Sequence, residues 1–405
     1  MASVYPPGLP AFYALAYRVV GEWETAARLV SLVHAILALV FCYRLGRAWG
    51  LSRWLATTVT AALALNPVSV RYFMFNMSDG PAMTWALATM YFATRSRKST
   101  AHGAWAGICF GLGVAVRPTN ALLLAALFLI LPKNLGTFAR FSLAAFAVVV
   151  PVFFFNAAQF GGPFKVGYGD VLWRFKARYF LPRAWHFLLW LGRFFTPFVF
   201  LGIVAAVAFE RTNKKARLFL YAGIVWFATF FVFYAFYWFS KDAWWSLRFL
   251  LPGLPGLLLA SAQGFAGAAH GIRLKPYRVA GSALVAIAVF ASSLFWLHRL
   301  RVPTLPEEEK KWRQAAQEAG RRYQVVLCGE LSGSVFFYSK ASLIRFDRLR
   351  QPELSSLLTG LPREAKIGAL LSPGEVKLTA RLFPGLLGDC VSQGPFNLCE
   401  VNRPQ

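Results

Sequence analysis

The chain has 405 residues, 57% of them hydrophobic and 15% charged, with a mean hydropathy of +0.50 and a formal net charge of +26. A soluble protein of this length carries roughly a quarter charged residues, so the composition excludes an ordinary soluble globular protein and points to a membrane. The basic excess comes with no nucleic-acid-binding motif, and much of it lies in short loops between apolar stretches; no nucleic-acid partner is expected.

In chain order, residues 1–24 come first. There is no basic region followed by an apolar stretch and a cleavage site, so no signal peptide is visible. Pro6-Pro7 forces an extended or turn backbone. Residues 9–20 are apolar on most faces but only a dozen long, which suits a helix lying in the membrane interface. About ten apolar stretches follow within 25–300, over 25–43, 54–73, 80–94, 103–116, 119–132, 141–160, 194–209, 217–238, 249–268 and 279–297. Those between 80 and 132 are short. They read as tilted helices or as a re-entrant pair turning at Arg117-Pro118, because proline disfavours helix at the residue before it.

Orientation follows from the loops. Arg44, Arg47 and Arg53, then Arg95, Arg97 and Lys98, then Lys133 and Arg140, then Arg211, Lys214, Lys215 and Arg217, then Arg273, Lys275 and Arg278 recur at every second connection. Such loops face the cytoplasm. Both termini and the loops at 71–79, around Arg117, at 161–193 and at 239–248 then face outward. The 161–193 segment sets Lys165, Arg174, Lys176, Arg178, Arg183 and Arg193 against one acid, Asp170, with aromatics such as Tyr168 and Trp173 between them. Lys165, Tyr168, Arg174 and Arg178 are candidates for contact with anionic membrane lipid; an ordinary aromatic belt with snorkelling arginines is the plainer reading.

Residues 301–405 are less apolar. Helical spacing at 307–323, strands at 324–329, 366–372 and 397–401, and a helix at 374–383 predict a small extracytoplasmic α/β domain. Cys390 and Cys399 are free to bridge a short loop or to sit apart on two strands. Nothing in this domain reads as catalytic. No His-x-x-x-His or Cys-x-x-Cys spacing occurs, no phosphate-cradling glycine loop and no Ser-His-Asp pattern. His34, inside an apolar span, reads as a packed neutral histidine bonded to a backbone carbonyl. The fold class is therefore an α-helical polytopic membrane protein of about ten transmembrane helices with a small carboxy-terminal α/β domain.

Several segments carry a family resemblance. Pro6, Pro7, Gly21 and Ala27-Arg28-Leu29 form a Pro-Pro turn, an interfacial helix ending in glycine, and an entry into a span. ALALNPVSVRYFMFNMSDGPAMTWALA (62–88), GAWAGICFGLGVAVRPTNALLL (103–124), FGGPFKVGYG (160–169) and WWSLRFLLPGLP (244–255) follow in order. The chain resembles the GT-C type of polytopic glycosyltransferase, the protein mannosyltransferase-like and aminoarabinose transferase-like enzymes. The tail, with QVVLCGELSGSVFFYS at 324–339, is similar to the extracytoplasmic domain of some members. The resemblance implies transfer of a sugar from a polyprenyl-phosphate donor to an acceptor at the outer face of a membrane, with a bacterial inner membrane as the expected location. It also implies one more span and an outward loop bearing a catalytic acid upstream of Pro6-Pro7, so the chain as written is expected to have little activity by itself.

Within that reaction, Asp79 is the sole acid of the second outward loop and is the candidate catalytic group; the family pattern also makes it a candidate ligand for a divalent metal, the one cofactor considered. Helix capping is its structural alternative. Arg117, Arg248, Lys241 and Arg71 are candidates to bind the donor phosphate, arginine through its planar fork of donors. The sugar and the acceptor are not specified. A carrier or flippase for an anionic or lipid-linked solute and a non-catalytic remnant are the competing readings. A carrier predicts paired repeats with broken helices and polar residues at midplane.

Overall fold

The structure, a computed structural model, describes residues 6–165, 172–208, 214–238, 243–271, 275–302 and 305–403. Two compact units are present, Met1–Val302 and Pro303–Gln405.

The described regular structure of the first unit is helical apart from one isolated bridge between Phe175 and Tyr237. α1 (Gly8–Val20) is the short amino-terminal helix, ended by Gly21 in the left-handed conformation at φ 76°. α2 (Trp23–Ala48), α3 (Arg53–Leu65), α4 (Pro67–Met74), α5 (Asp79–Arg95), α6 (Ala101–Val116), α7 (Leu124–Ile130) and α8 (Leu135–Phe160) follow. Then come α9 (Phe180–Phe195), α10 (Phe198–Ala208), α11 (Lys214–Ala235), α12 (Leu254–Gly271) and α13 (Lys275–Arg299). By length and composition, three described helices can each cross a membrane, at Trp23–Ala48, Leu135–Phe160 and Ala216–Ala235. A fourth is obtained if the 3-10 helix Trp244–Leu250 and the following Leu254–Ala268, bent by 84°, count as one span.

Several expected spans are shorter or broken, and prolines explain where. The stretch 54–73 is two helices, because Pro67 has no N–H to continue α3. Asn66 at the joint caps α4, its carboxamide oxygen accepting from the Val68 and Ser69 N–H groups at 2.9 and 3.3 Å. The stretch 194–209 does not begin at 194. α9 runs on to Phe195, and Thr196 at φ 62° with Pro197 behind it separates α9 from the eleven-residue α10. Arg117 is extended at φ −150°, as a residue before proline should be, and the 3-10 turn Pro118–Leu123 leads into α7.

Helices in hydrocarbon gain nothing from burying leucine against leucine, so small residues that permit close approach decide the packing. Gly103, Gly107 and Gly111 of α6 lie one turn apart and face α8; a Cβ at Gly107 would come within 2.2 Å of the Phe141 carbonyl oxygen. At one end of the bundle, the Trp49 indole donates to Thr94 at 3.0 Å, Gln263 donates to the Trp49 carbonyl at 2.8 Å, and Arg97 donates to the Ile130 carbonyl at 2.9 Å. That end carries the described basic loops. Arg211 and Arg273 lie outside the described residues.

The second unit is an α/β layer. α14 (Leu305–Arg322) precedes β1 (Val325–Cys328), α15 (Ser332–Tyr338), β2 (Ser342–Arg345), α16 (Gln351–Thr359), β3 (Ile367–Leu371), α17 (Pro373–Leu382), β4 (Leu387–Gln393) and β5 (Phe396–Val401). The sheet order is β2-β1-β3-β5-β4, parallel over the first three strands and antiparallel at the β3–β5 and β5–β4 pairs. β3 is buried along its whole length, which is why its sequence, IGALL, is apolar without alternation. The crevice beyond the carboxyl ends of β1 and β3 is where folds of this kind place a ligand. Here the Glu375 carboxylate fills it, accepting from the Glu330 N–H at 2.7 Å and the Ser372 N–H at 2.8 Å. β2, α16 and β4 were not foreseen. Register puts Cys390 directly opposite Cys399, and the two form a disulfide. Cys328 is buried in β1, and desolvation first, with the Glu375 charge second, pushes its thiol well above the ordinary range.

Candidate functional site

Helix ends opposite the basic loops gather polar groups. Asp79 is the first residue of α5 and is buried, and Arg117 follows the last residue of α6. The two form an ion pair whose side chains are only 6% and 13% exposed. Ser78 makes no capping hydrogen bond, and the Asp79 carboxylate is engaged by Arg117. Capping therefore does not account for Asp79. A second pair of contacts holds Arg117: its Nη2 donates to the Tyr234 hydroxyl and its Nε to Thr119 Oγ1, both at 3.3 Å. Tyr234 in turn donates to Thr119 Oγ1 at 3.0 Å, closing the network. A buried guanidinium is costly unless its charge and its donors are met, and here both are.

Arg71 and Arg248 lie in the same neighbourhood without such compensation among the described residues. The Arg71 guanidinium stands over the rings of Phe75 at 4.7 Å and Trp244 at 5.3 Å. That of Arg248 stands over Phe249 at 5.0 Å and Tyr72 at 5.9 Å, with Nη1 3.8 Å from Met77 Sδ. Phe249 is shared, since the Arg117 guanidinium lies 5.8 Å from the same ring. Tyr72 donates to the Trp245 carbonyl at 3.1 Å, tying α4 to the 3-10 helix that carries Arg248. Among the described residues neither Arg71 nor Arg248 has a carboxylate partner.

Three of the four cations read as phosphate ligands thus lie in one neighbourhood lined by Tyr72, Trp244 and Phe249, where Arg117 pairs with Asp79. Lys241 lies outside the described residues, as does Tyr168 of the lipid-interface set. Of that set, Lys165 and Arg178 are exposed, and Arg178 donates to the Tyr179 hydroxyl at 3.0 Å. Arg174 instead donates to Tyr237 at 3.2 Å, and its segment pairs with the end of α11 through Phe175 and Tyr237. His34 is packed as expected, Nδ1 2.7 Å from the Val30 carbonyl, between Phe12 and Trp85. Sequence reading missed Tyr234, Thr119, Tyr72, Met77 and Phe249. The available signal was weak: each lies near the end of an apolar stretch.

The donor set does not suit a divalent metal. The Asp79 carboxylate is taken by Arg117, and among the described residues no three His, Cys, Asp or Glu side chains gather to hold an ion.

A family model for dolichyl-phosphate-mannose-protein mannosyltransferases matches residues 4–156. ArnT from Cupriavidus metallidurans, in its crystal structure bound to undecaprenyl phosphate, aligns with 97% of the chain and 87% of its own, at 13% identity and a TM-score of 0.55. Its apo crystal structure aligns over the same shares at 16% identity and a TM-score of 0.54. The arabinofuranosyltransferase AftD from Mycobacteria aligns with 97% of the chain and 35% of its own, at 13% identity and a TM-score of 0.55. No curated protein sequence matches closely enough to count as a relative. These likenesses show that the chain shares the fold of these solved structures, and its apolar helices make it an integral membrane protein.

Proposed function

We propose that the protein transfers a sugar from a polyprenyl-phosphate donor to an acceptor at the outer face of the membrane, with Arg71 and Arg248 as the groups that hold the donor phosphate. The observation that carries this reading is the pair of guanidinium groups with no carboxylate partner among the described residues, beside the compensated Asp79–Arg117 pair. In transfer, the acceptor hydroxyl's oxygen bonds to the anomeric carbon as that carbon's bond to the phosphate oxygen breaks, and the hydroxyl's proton is given up to solvent water. The departing phosphate keeps the bonding electrons and gains negative charge. Cations placed beforehand where that charge develops lower the barrier. Asp79 serves by fixing Arg117, whose donors are occupied by Asp79, Tyr234 and Thr119, so that Arg117 builds the wall of the site. That ArnT is seen bound to undecaprenyl phosphate supports the choice of donor class.

Purified protein in lipid nanodiscs is expected to bind undecaprenyl phosphate in clear preference to undecaprenol, measured by competition for a fluorescent polyprenyl phosphate. Equal binding of the two would reduce the arginines to an aromatic-belt role. Placement of the polar cluster at helix ends, rather than at mid-helix, also favours transfer over carriage of a solute.

The assigned orientation makes a separate prediction. The native cysteines are buried or disulfide-bonded, so they offer a low labelling background. Cysteines introduced as Lys214→Cys and Arg363→Cys are expected to react with an impermeant maleimide from opposite faces, the first only from the cytoplasm. Reaction of both from one face would put the tail and the proposed site on sides that the reading forbids.

A further inference from the structure

The loop between α4 and α5 touches every arginine of the site. Phe75 lies under Arg71, Met77 meets Arg248, and Asp79 pairs with Arg117. These are alternate residues, so a shift of the loop by one position would misplace all three contacts together. Asn76, in the middle, has φ 47°, a left-handed conformation that few non-glycine residues adopt and asparagine tolerates. Two side chains from other helices grip it. Tyr13 of α1 donates from its hydroxyl to the Asn76 backbone carbonyl at 2.6 Å, and Ser31 of α2 donates to Asn76 Oδ1 at 2.7 Å.

α1 also buttresses the other side of the ion pair. Leu9 packs with Val30, Ala82 and Val116, the last being the residue before Arg117. Gly8 lies against the Ala115–Val116 backbone so closely that a Cβ there would come within 2.5 Å of it. The opposite face of α1 leaves Leu15 and Val19 exposed.

We propose that the Phe75–Asp79 loop is a template that sets the three arginines, and that Tyr13 and Ser31, acting through Asn76, are positioning residues that hold its register. The proposal rests on the reading of Arg71 and Arg248 as the donor-phosphate ligands. None of the pinning groups touches the phosphate. They act by keeping one backbone conformation out of the several open to a short loop, so that the arginines are preorganised when the donor arrives.

The test uses the whole protein in nanodiscs, with undecaprenyl phosphate and undecaprenol as probes and amide hydrogen exchange of residues 75–79 as a second readout. Tyr13→Phe removes one hydroxyl and is expected to weaken phosphate binding roughly tenfold while leaving undecaprenol binding unchanged. Asn76→Ala should weaken it further than Asn76→Gly, because glycine enters the left-handed region freely. Introduced into an Arg248→Ala background, Tyr13→Phe should have a smaller effect, since one of the arginines that the loop positions is already gone. Both Tyr13→Phe and Asn76→Ala should speed exchange at 75–79. Parent-like phosphate preference in these variants would overturn the proposal and leave the donor reading standing. If the parent itself shows no phosphate preference, the donor reading fails, and exchange decides the pin: unchanged protection at 75–79 in Tyr13→Phe would overturn it.

Discussion

Replacing Arg71 and Arg248 together by alanine is expected to weaken undecaprenyl-phosphate binding by roughly a thousandfold, with undecaprenol binding little changed. Each guanidinium that hydrogen-bonds a phosphate contributes about 1.5–3 kcal/mol, and about 1.4 kcal/mol is a factor of ten in affinity. The single variants should each lose between roughly tenfold and a hundredfold. The two sites are neighbours through the aromatic cluster of Tyr72, Trp244 and Phe249, so their effects need not add. Arg248→Lys should recover only part of the loss, because an ammonium keeps the charge but not the planar pair of donors. The rings beneath both arginines are retained in the alanine variants, so the protein should still fold. A double variant that binds the phosphate as the parent does would assign these cations to the headgroup region of bulk lipid.

The second large effect belongs to Asp79. Asp79→Ala leaves the Arg117 guanidinium buried without its carboxylate, and breaking a buried pair in this way costs about 3–5 kcal/mol of stability. A marked fall in thermal midpoint is expected in the purified protein. That result alone does not separate a structural pair from a functional one. Asp79→Asn combined with Arg117→Gln removes both charges and keeps hydrogen-bonding groups of similar shape, so it should restore most of the midpoint. If the pair orders the site as proposed, the restored protein still discriminates weakly between undecaprenyl phosphate and undecaprenol. Recovery of discrimination along with stability would leave the pair as scaffolding only.

Much of the molecule could be read locally. The apolar stretches, the Pro-Pro turn before α1, the break at Arg117-Pro118 and the packed His34 all rest on the chemistry of a residue and its near neighbours. The errors were local as well. Asn66-Pro67 and Thr196-Pro197 were read through as continuous spans because hydropathy rises across them, whereas a missing N–H breaks a helix whatever its hydropathy. Arg71, Arg117, Arg248 and Asp79 stood out singly, as charged residues at the edges of apolar stretches where charge is costly.

Their relation to one another was not legible. Asp79 meets Arg117 from 38 residues away, Arg117 meets Tyr234 from 117 away, and Arg248 meets Met77 from 171 away. Helical periodicity states which face of a helix is apolar but not which helix it will meet, and in hydrocarbon the choice falls to close approach between small residues such as Gly107. The same holds for Tyr13, an ordinary aromatic on an interfacial helix until its hydroxyl reaches Asn76, 63 residues on. It holds too for Cys390 and Cys399, whose pairing waited on the register of β4 against β5. By itself the sequence determined the solvent of this protein, its helical class and the residues whose charge needed an explanation, because those depend on transfer from water to lipid one segment at a time. Only the tertiary structure decided that Asp79 compensates Arg117 while Arg71 and Arg248 have no described carboxylate partner, because charge compensation depends on which helix ends packing brings within a few ångströms of each other.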